Sequence, residues 1–276
     1  MLSITLGPLA LPVAPLMLLA ALALAVFAAR RLAGAGQAAQ AERALLGAAV
    51  AALLAARLGH VLPHWQPYLA QPWAVFDIRD GGWDDAIGVA VAALWLAARS
   101  RALPALRRPL LWSALAGVGV WTVLGVAVLA AGGRALPVPA PDVALTALAG
   151  GGQQPLAEVL GGRPAVVNLW ASWCPPCRAE MPVLEAARRR DGADVRFLLV
   201  NQGEAAAVVR AYLKREGMAE EGVWLDATRA LGHASGSSGL PLTLFFDAQG
   251  RRVHAHLGAL NAAALQVQVQ RLRQAR

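Results

Sequence analysis

Apolar and polar positions follow two different patterns in the two halves of the chain. In the first half the apolar residues come in long blocks, at 8–29, 44–62 (broken only by Arg57 near its end), about 86–98, and 109–131. A helix needs about 20 apolar residues to cross a bilayer, so three blocks suffice, and the third spans only if residues 81–85 enter the interface. The pattern predicts an α-helical membrane domain of about four transmembrane helices over residues 1–133.

After the Gly/Pro-rich stretch at 132–141 the apolar runs shorten and alternate with helical patterns. Strands are expected near 143–145, 166–170, 195–201, 223–225, 242–246 and 252–257, the last two forming a hairpin through the turn Asp247 to Gly250. Helices are expected at 155–160, after Cys174, at 204–216, and after a capping Asn261. That order gives a mixed sheet with helices on both faces over residues 142–276. Its alternating prolines make 134–141 an extended linker, lifting this domain off the membrane.

Composition sharpens the first half. Apolar residues make up 57% of the chain, against about 45–50% for an ordinary soluble protein, and the excess lies before residue 133. The first block is not flanked like a signal peptide: no basic residue precedes it, and Arg30 and Arg31 follow it. It reads as a retained helix with its N-terminus outside. Arg30, Arg31 and Arg43 follow the first block, and Arg99, Arg101, Arg107 and Arg108 follow the third. The segment between the second and third carries Asp77, Asp80, Asp84 and Asp85 with Arg79, and an interfacial aromatic set of Trp65, Tyr68, Trp73 and Trp83. Basic segments stay inside, so the C-terminal domain returns to the outside, which in a bacterium places it in the periplasm on a multi-pass inner-membrane anchor. The net charge of +8 is spread over both halves, with no basic tract beyond Arg188 to Arg190, which reads as a solvated helix end. No nucleic-acid partner is expected; the lipid bilayer is.

The candidate chemistry sits in VVNLWASWCPPCRAEMPVLE, residues 166–185, which holds both cysteines of the chain. The strand ends at Trp170, a turn follows, and Cys174-Pro-Pro-Cys177 opens a helix. Free N–H groups at a helix start stabilise a thiolate, so Cys174 is the activated thiol and Cys177, a turn in, the resolving one. Prolines 175 and 176 suit a first turn, where a missing N–H costs nothing. Three other uses of a Cys-x-x-Cys pair weigh less. A zinc site needs two further ligands, and the histidines at 60, 64, 233, 254 and 256 form no matching pair. A copper-carrying dithiol has no methionine beside it before Met181, and a structural bridge has no need of the Trp-Cys-Pro-Pro-Cys setting. No metal and no cofactor is expected.

The run Asn168-Leu-Trp-Ala-Ser-Trp-Cys-Pro-Pro-Cys-Arg-Ala-Glu-Met-Pro182, with Gly239-Leu-Pro241 ahead of Leu-Thr-Leu-Phe-Phe-Asp247, resembles the TlpA-type branch of the thioredoxin superfamily. That branch includes membrane-tethered thiol:disulfide oxidoreductases such as the cytochrome c maturation reductases. The resemblance covers residues 140–276 and implies an α/β thioredoxin-like domain. It also implies Cys174 as nucleophile, Cys177 as resolver, and Pro241 as a cis-proline whose neighbour Leu240 offers its backbone to an extended substrate. Trp173 would flank that substrate site, while Trp170 and Trp173 shield the dithiol. Glu180 matches an acid that tunes the cysteines in some of these reductases. From the residues alone, Glu180 is the acid nearest in sequence to the pair. Asn168, six residues before Cys174, stands where the best-known thioredoxins carry a buried aspartate. Glu180 also reads as a first-turn acid favoured by the helix dipole.

The expected function is reduction of disulfides in client proteins, with a separate transmembrane electron donor, because the membrane half has no cysteine. Disulfide donation is the same chemistry at another redox poise. Residues 56–85 show a weaker resemblance to prolipoprotein diacylglyceryl transferases. Gly81-Gly82 survives there, but Asp84, Asp85 and Ala86 stand where that family's histidine would fall. Two further alternatives are therefore a lipid-modifying transferase with an accessory redox domain and a metal-handling dithiol protein.

Overall fold

The computed structural model describes residues 3–6, 9–34, 36–70, 72–77, 81–130 and 137–274. The first half runs β1 (Ser3–Leu6), β2 (Leu9–Pro12), α1 (Val13–Leu32), α2 (Ala38–Val61), α3 (Trp65–Ala70), α4 (Asp85–Ala102) and α5 (Arg107–Ala130). The second runs β3 (Val138–Pro139), β4 (Ala144–Ala147), β5 (Gln153–Pro155), α6 (Leu156–Leu160), β6 (Ala165–Trp170), α7 (Pro175–Asp191) and β7 (Arg196–Gln202). It continues through α8 (Ala206–Arg215), β8 (Val223–Asp226), α9 (Ala230–Ala234), β9 (Leu242–Phe246), β10 (Arg251–Leu257) and α10 (Ala262–Gln274). By their contacts these residues form two compact units, one built on α1, α2, α4 and α5 and the other on the large sheet.

In the helical unit α1 packs on α5 and α2 on α4, and small residues set the spacing. A Cβ on Gly88 would meet the Ala52 carbonyl oxygen at 3.2 Å, and one on Gly117 would meet that of Ala21 at 3.3 Å. Close backbone approach of this kind is how helices associate where apolar surface has no water to escape. The outward faces carry Leu19, Phe27, Leu54, Leu94, Val118 and Val123, all exposed and apolar. Among the described residues three helical segments are long and apolar enough to cross a membrane: Pro15–Leu32, Ala38–Val61 and Pro104–Val128. The third block of the sequence does form a helix, α4, but its 18 residues include Asp85, Arg99 and Arg101, so the count of about four is an upper one. Arg57, which interrupts the second block, donates Nη1–H to the Gly82 carbonyl at 2.8 Å and lies over the Trp83 ring at 5.8 Å. Asp84 caps α4 by accepting the Ile87 N–H at 2.9 Å. The first apolar block also differs from expectation at its start: residues 9–12 are strand β2, paired antiparallel with β1, and α1 begins only after Pro12.

The other unit is an eight-stranded mixed sheet in the order β3-β10-β9-β6-β7-β8-β4-β5. β6, β7 and β8 are parallel, and the remaining pairs are antiparallel. Every residue of β6 is buried, as a central strand covered on both faces must be, and this is why its sequence reads as an unbroken apolar run. Alternate residues feed two cores. Val166, Trp170, Phe197 and Phe245 pack with α7, α8 and α10 on one face. Val167, Leu169, Val200, Leu244 and Phe246 pack with α6 and α9 on the other. Asn261 caps α10 through the Ala264 N–H at 2.9 Å, as the sequence implies. Residues 134–136 of the proposed linker lie outside the described residues. Its far end is not free chain, because Val138–Pro139 pairs with Arg251 and Arg252 as the edge strand β3.

Candidate redox site

The site forms where β6 hands over to α7. Cys174 is the N-cap of α7, with extended backbone, and prolines 175 and 176 occupy the first helical positions. Neither proline has an N–H, so the first donor of the helix is that of Cys177, and the Cys174 sulfur accepts it at 3.2 Å. A helix start thus aims its one early donor at the Cys174 sulfur, an arrangement that favours negative charge there. The two sulfurs are joined in a disulfide, with 5.3 Å between the Cα atoms. Cys174 is 3% exposed and Cys177 1%, so both sulfurs are nearly closed off, Cys174 the less so.

The residues singled out from the sequence converge here in part. Trp173 precedes Cys174 and is 61% exposed, an apolar surface beside the sulfur. Trp170 does not share that place: it is fully buried, its ring 5.2 Å from that of Tyr212, and belongs to the core. Pro241 follows a cis peptide bond from Leu240 and is buried, while Leu240 is half-buried. Both precede β9, the antiparallel neighbour of β6.

Glu180 is not a solvated first-turn acid. It is 2% exposed, on the inward face of α7, and burial lifts its pKa from an ordinary 4.5 to about 8. The Leu260 backbone, Asn168 and Thr243 stand beside it and oppose that shift without cancelling it. Neither carboxyl oxygen makes a hydrogen bond of ordinary geometry with a described residue. Ionising such a group means placing a charge in a nearly dry site, so near neutral pH it holds its proton. Asn168 and Thr243 sit on the α7 face of the sheet and bond to each other at 2.9 Å, which gives this carboxyl a polar but uncharged floor.

Sequence reasoning missed three residues around the turn: Ser172, Asn201 and Glu204. The Glu204 carboxylate accepts the Ser172 N–H at 2.7 Å and its hydroxyl at 2.5 Å, and the Asn201 amide at 2.6 Å. Nothing local in the sequence signals contacts between 172 and 204, which meet only because β6 and β7 are neighbours.

Comparison with known proteins finds separate matches for the two parts of the chain. A family model described as Redoxin matches residues 137–269, and one described as Prolipoprotein diacylglyceryl transferase matches residues 2–128. The Thiol:disulfide interchange protein DsbE of Allochromatium vinosum is 32% identical over 132 residues, covering 48% of this chain and 72% of that protein. The protein of the same name from Escherichia coli K12 is 32% identical over 124 residues, covering 45% of this chain and 65% of that one. A crystal structure of a putative Thiol:disulfide interchange protein DsbE from Chlorobium tepidum aligns at TM-score 0.44 and 24% identity, over 49% of this chain and 96% of that chain. A dithiol at the mouth of a helix, a thioredoxin-like sheet and relatives of this kind have one common reading: the chain is a membrane-anchored thiol:disulfide oxidoreductase and belongs to the DsbE family of thiol:disulfide interchange proteins.

Proposed function

We propose that the protein is a reductase of disulfides in exported client proteins, working through Cys174 and Cys177 from a multi-pass anchor in the bacterial inner membrane. The observation that carries this reading is the bond between the Cys177 N–H and the Cys174 sulfur at the start of α7. In the reduced protein, the Cys174 thiolate attacks one sulfur of a client disulfide and expels the other as a thiolate, leaving a mixed disulfide. Cys177, deprotonated, then attacks Cys174, forms the bridge seen here, and releases the second client thiolate. Two electrons pass to the client, and a separate transmembrane donor restores the dithiol.

Glu180 is the proton partner of this exchange. A carboxyl protonated near neutral pH, one helical turn from Cys177, has a pKa suited to give and take a proton as thiols become thiolates. Trp173, Leu240 and Pro241 line the approach, where an extended client segment lies along the Leu240 backbone. The helical unit is an anchor. Arg30 and Arg31 close α1, Arg99 and Arg101 close α4, and Arg107 and Arg108 open α5, whereas the acids Asp84 and Asp85 stand at the start of α4. That distribution supports a redox unit on the periplasmic side. Asp84, standing where the transferase resemblance calls for a histidine, is engaged as a helix cap, which favours anchoring over lipid transfer.

The test is the reduction potential of the Cys174–Cys177 couple. A value near the reducing end of the thioredoxin range, about −270 mV, supports client reduction. One near the strongly oxidising end, about −120 mV, assigns the opposite direction of flow.

A further inference from the structure

The turn that carries Trp173 into the site is held from outside itself. The Ala171 carbonyl accepts the Cys174 N–H at 3.2 Å, so Ser172 and Trp173 are the two corner residues between β6 and α7. That one bond is long. The stronger hold comes from Glu204, one carboxylate oxygen taking the Ser172 N–H at 2.7 Å and the other its hydroxyl at 2.5 Å. Glu204 is itself fixed. Asn201 donates to the first oxygen at 2.6 Å and accepts the Glu204 N–H at 3.2 Å. Asn201 is fully buried and pairs with Trp170 across the parallel strands β6 and β7. A rigid path therefore runs from the centre of the sheet through Asn201 and Glu204 to the residue before Trp173.

Trp173 is the exposed member of this turn, and Cys174 is the next residue. Were the corner loose, indole and sulfur would have to be ordered together at each encounter, and that entropy would be lost from client affinity. We propose that Glu204 is a positioning residue: by pinning Ser172 it fixes the Trp173 indole relative to the Cys174 sulfur, so that both meet an extended, apolar client segment carrying a disulfide as one preformed surface. The inference rests on the thiol-exchange reading above and adds to it a determinant of client affinity that lies outside the dithiol motif.

The test uses the full-length protein in detergent, dithiothreitol as reductant, and a peptide whose internal disulfide is flanked by leucine and phenylalanine. Glu204→Ala is expected to raise KM for the peptide about tenfold while kcat changes less than about twofold. Ser172→Ala, which removes one of the two bonds, gives about a threefold rise and carries the test should Glu204→Ala not fold. Glu204→Gln keeps an acceptor for the N–H and a donor for the hydroxyl oxygen, and restores KM to within about threefold of the parent. Trp173→Ala raises KM to a similar extent, and combining it with Glu204→Ala adds little, because both act through one contact. An unchanged KM in both Glu204→Ala and Ser172→Ala, a loss confined to kcat, or effects of Glu204→Ala and Trp173→Ala that multiply would each overturn the proposal. Turnover of the small disulfide dithionitrobenzoate, lost in Cys174→Ser, checks the exchange chemistry separately. Its absence in the parent protein would overturn both readings.

Discussion

In the helical unit, tight contacts are made by residues with almost no side chain: Gly88 against the Ala52 carbonyl, Gly117 against that of Ala21. In the sheet unit, polar groups meet along β6, α7 and the turn between them: Asn168 donates to Thr243 beside the buried Glu180, and the part-buried Glu204 accepts from Asn201 and Ser172. The first kind of packing specifies how close two helices come and little else, and an outward apolar residue there is exchangeable for another. The second kind specifies protonation states and loop positions, so single atoms matter. Chemistry is concentrated in one unit and attachment in the other.

The sharpest way to break this division is at the sulfurs. Cys174→Ser should lower turnover by about a thousandfold or more, measured with any disulfide substrate, because Cys177, the one thiol that remains, is 1% exposed and out of a client's reach. A helical unit able to sustain turnover by itself would erase the contrast.

Glu180→Gln comes next. The parent carboxyl has a folded pKa of about 8 against an ordinary 4.5, so its contribution to stability is full below 4.5 and is lost as pH rises through that window. Each pH unit inside it removes about 1.4 kcal/mol. Thermal melts of the oxidised protein between pH 5 and pH 8, a range chosen within roughly that window, should slope downward in the parent and lie nearly flat in the variant. The same replacement should move the pH dependence of Cys174 alkylation. A parallel slope in both proteins would remove Glu180 from the mechanism.

Packing in the helical unit gives smaller effects. Gly88→Val places methyls against the Ala52 carbonyl and should destabilise the α2–α4 pair by about 1–3 kcal/mol in a detergent unfolding assay, with dithionitrobenzoate turnover within about twofold. Val118→Ala, on the exposed face of α5, should change stability by no more than about 0.5 kcal/mol. A large turnover loss from either would show the two units to be functionally coupled.

Much of this was legible in the order of residues. The helices of the membrane half announce themselves by length and apolarity, and β6 with α7 by a buried-strand run meeting Cys-Pro-Pro-Cys. Hydropathy reports depth rather than conformation, so residues 9–12 read as part of the first span although Pro12 stands at a strand end and the helix starts after it. The edge strands β3 and β5 have two and three residues, too few for any period to show. Helix α9 lacks a cap at its own start; Asp226, four residues ahead of it, accepts the Ala230 and Leu231 N–H groups instead.

Glu180 was readable in principle. It falls in the stripe Cys177, Glu180, Met181, Leu184, the spacing of an inward helix face, and an acid in such a stripe is a buried acid. Glu204 had no such signal, because Asn201 alone of its partners is local, and Ser172 lies 32 residues away along the chain and beside it only across two strands.

The most direct measurement is a trapping experiment in cells carrying the full-length chain with Cys177→Ser. Without the resolving thiol the mixed disulfide persists, so acid quenching and non-reducing electrophoresis should reveal reductant-sensitive adducts between this protein and exported cysteine-containing proteins. Those adducts should vanish when Cys174 is also replaced by serine. Adducts that are absent, or that survive loss of Cys174, would contradict the claim that this sulfur exchanges disulfides with client proteins outside the membrane.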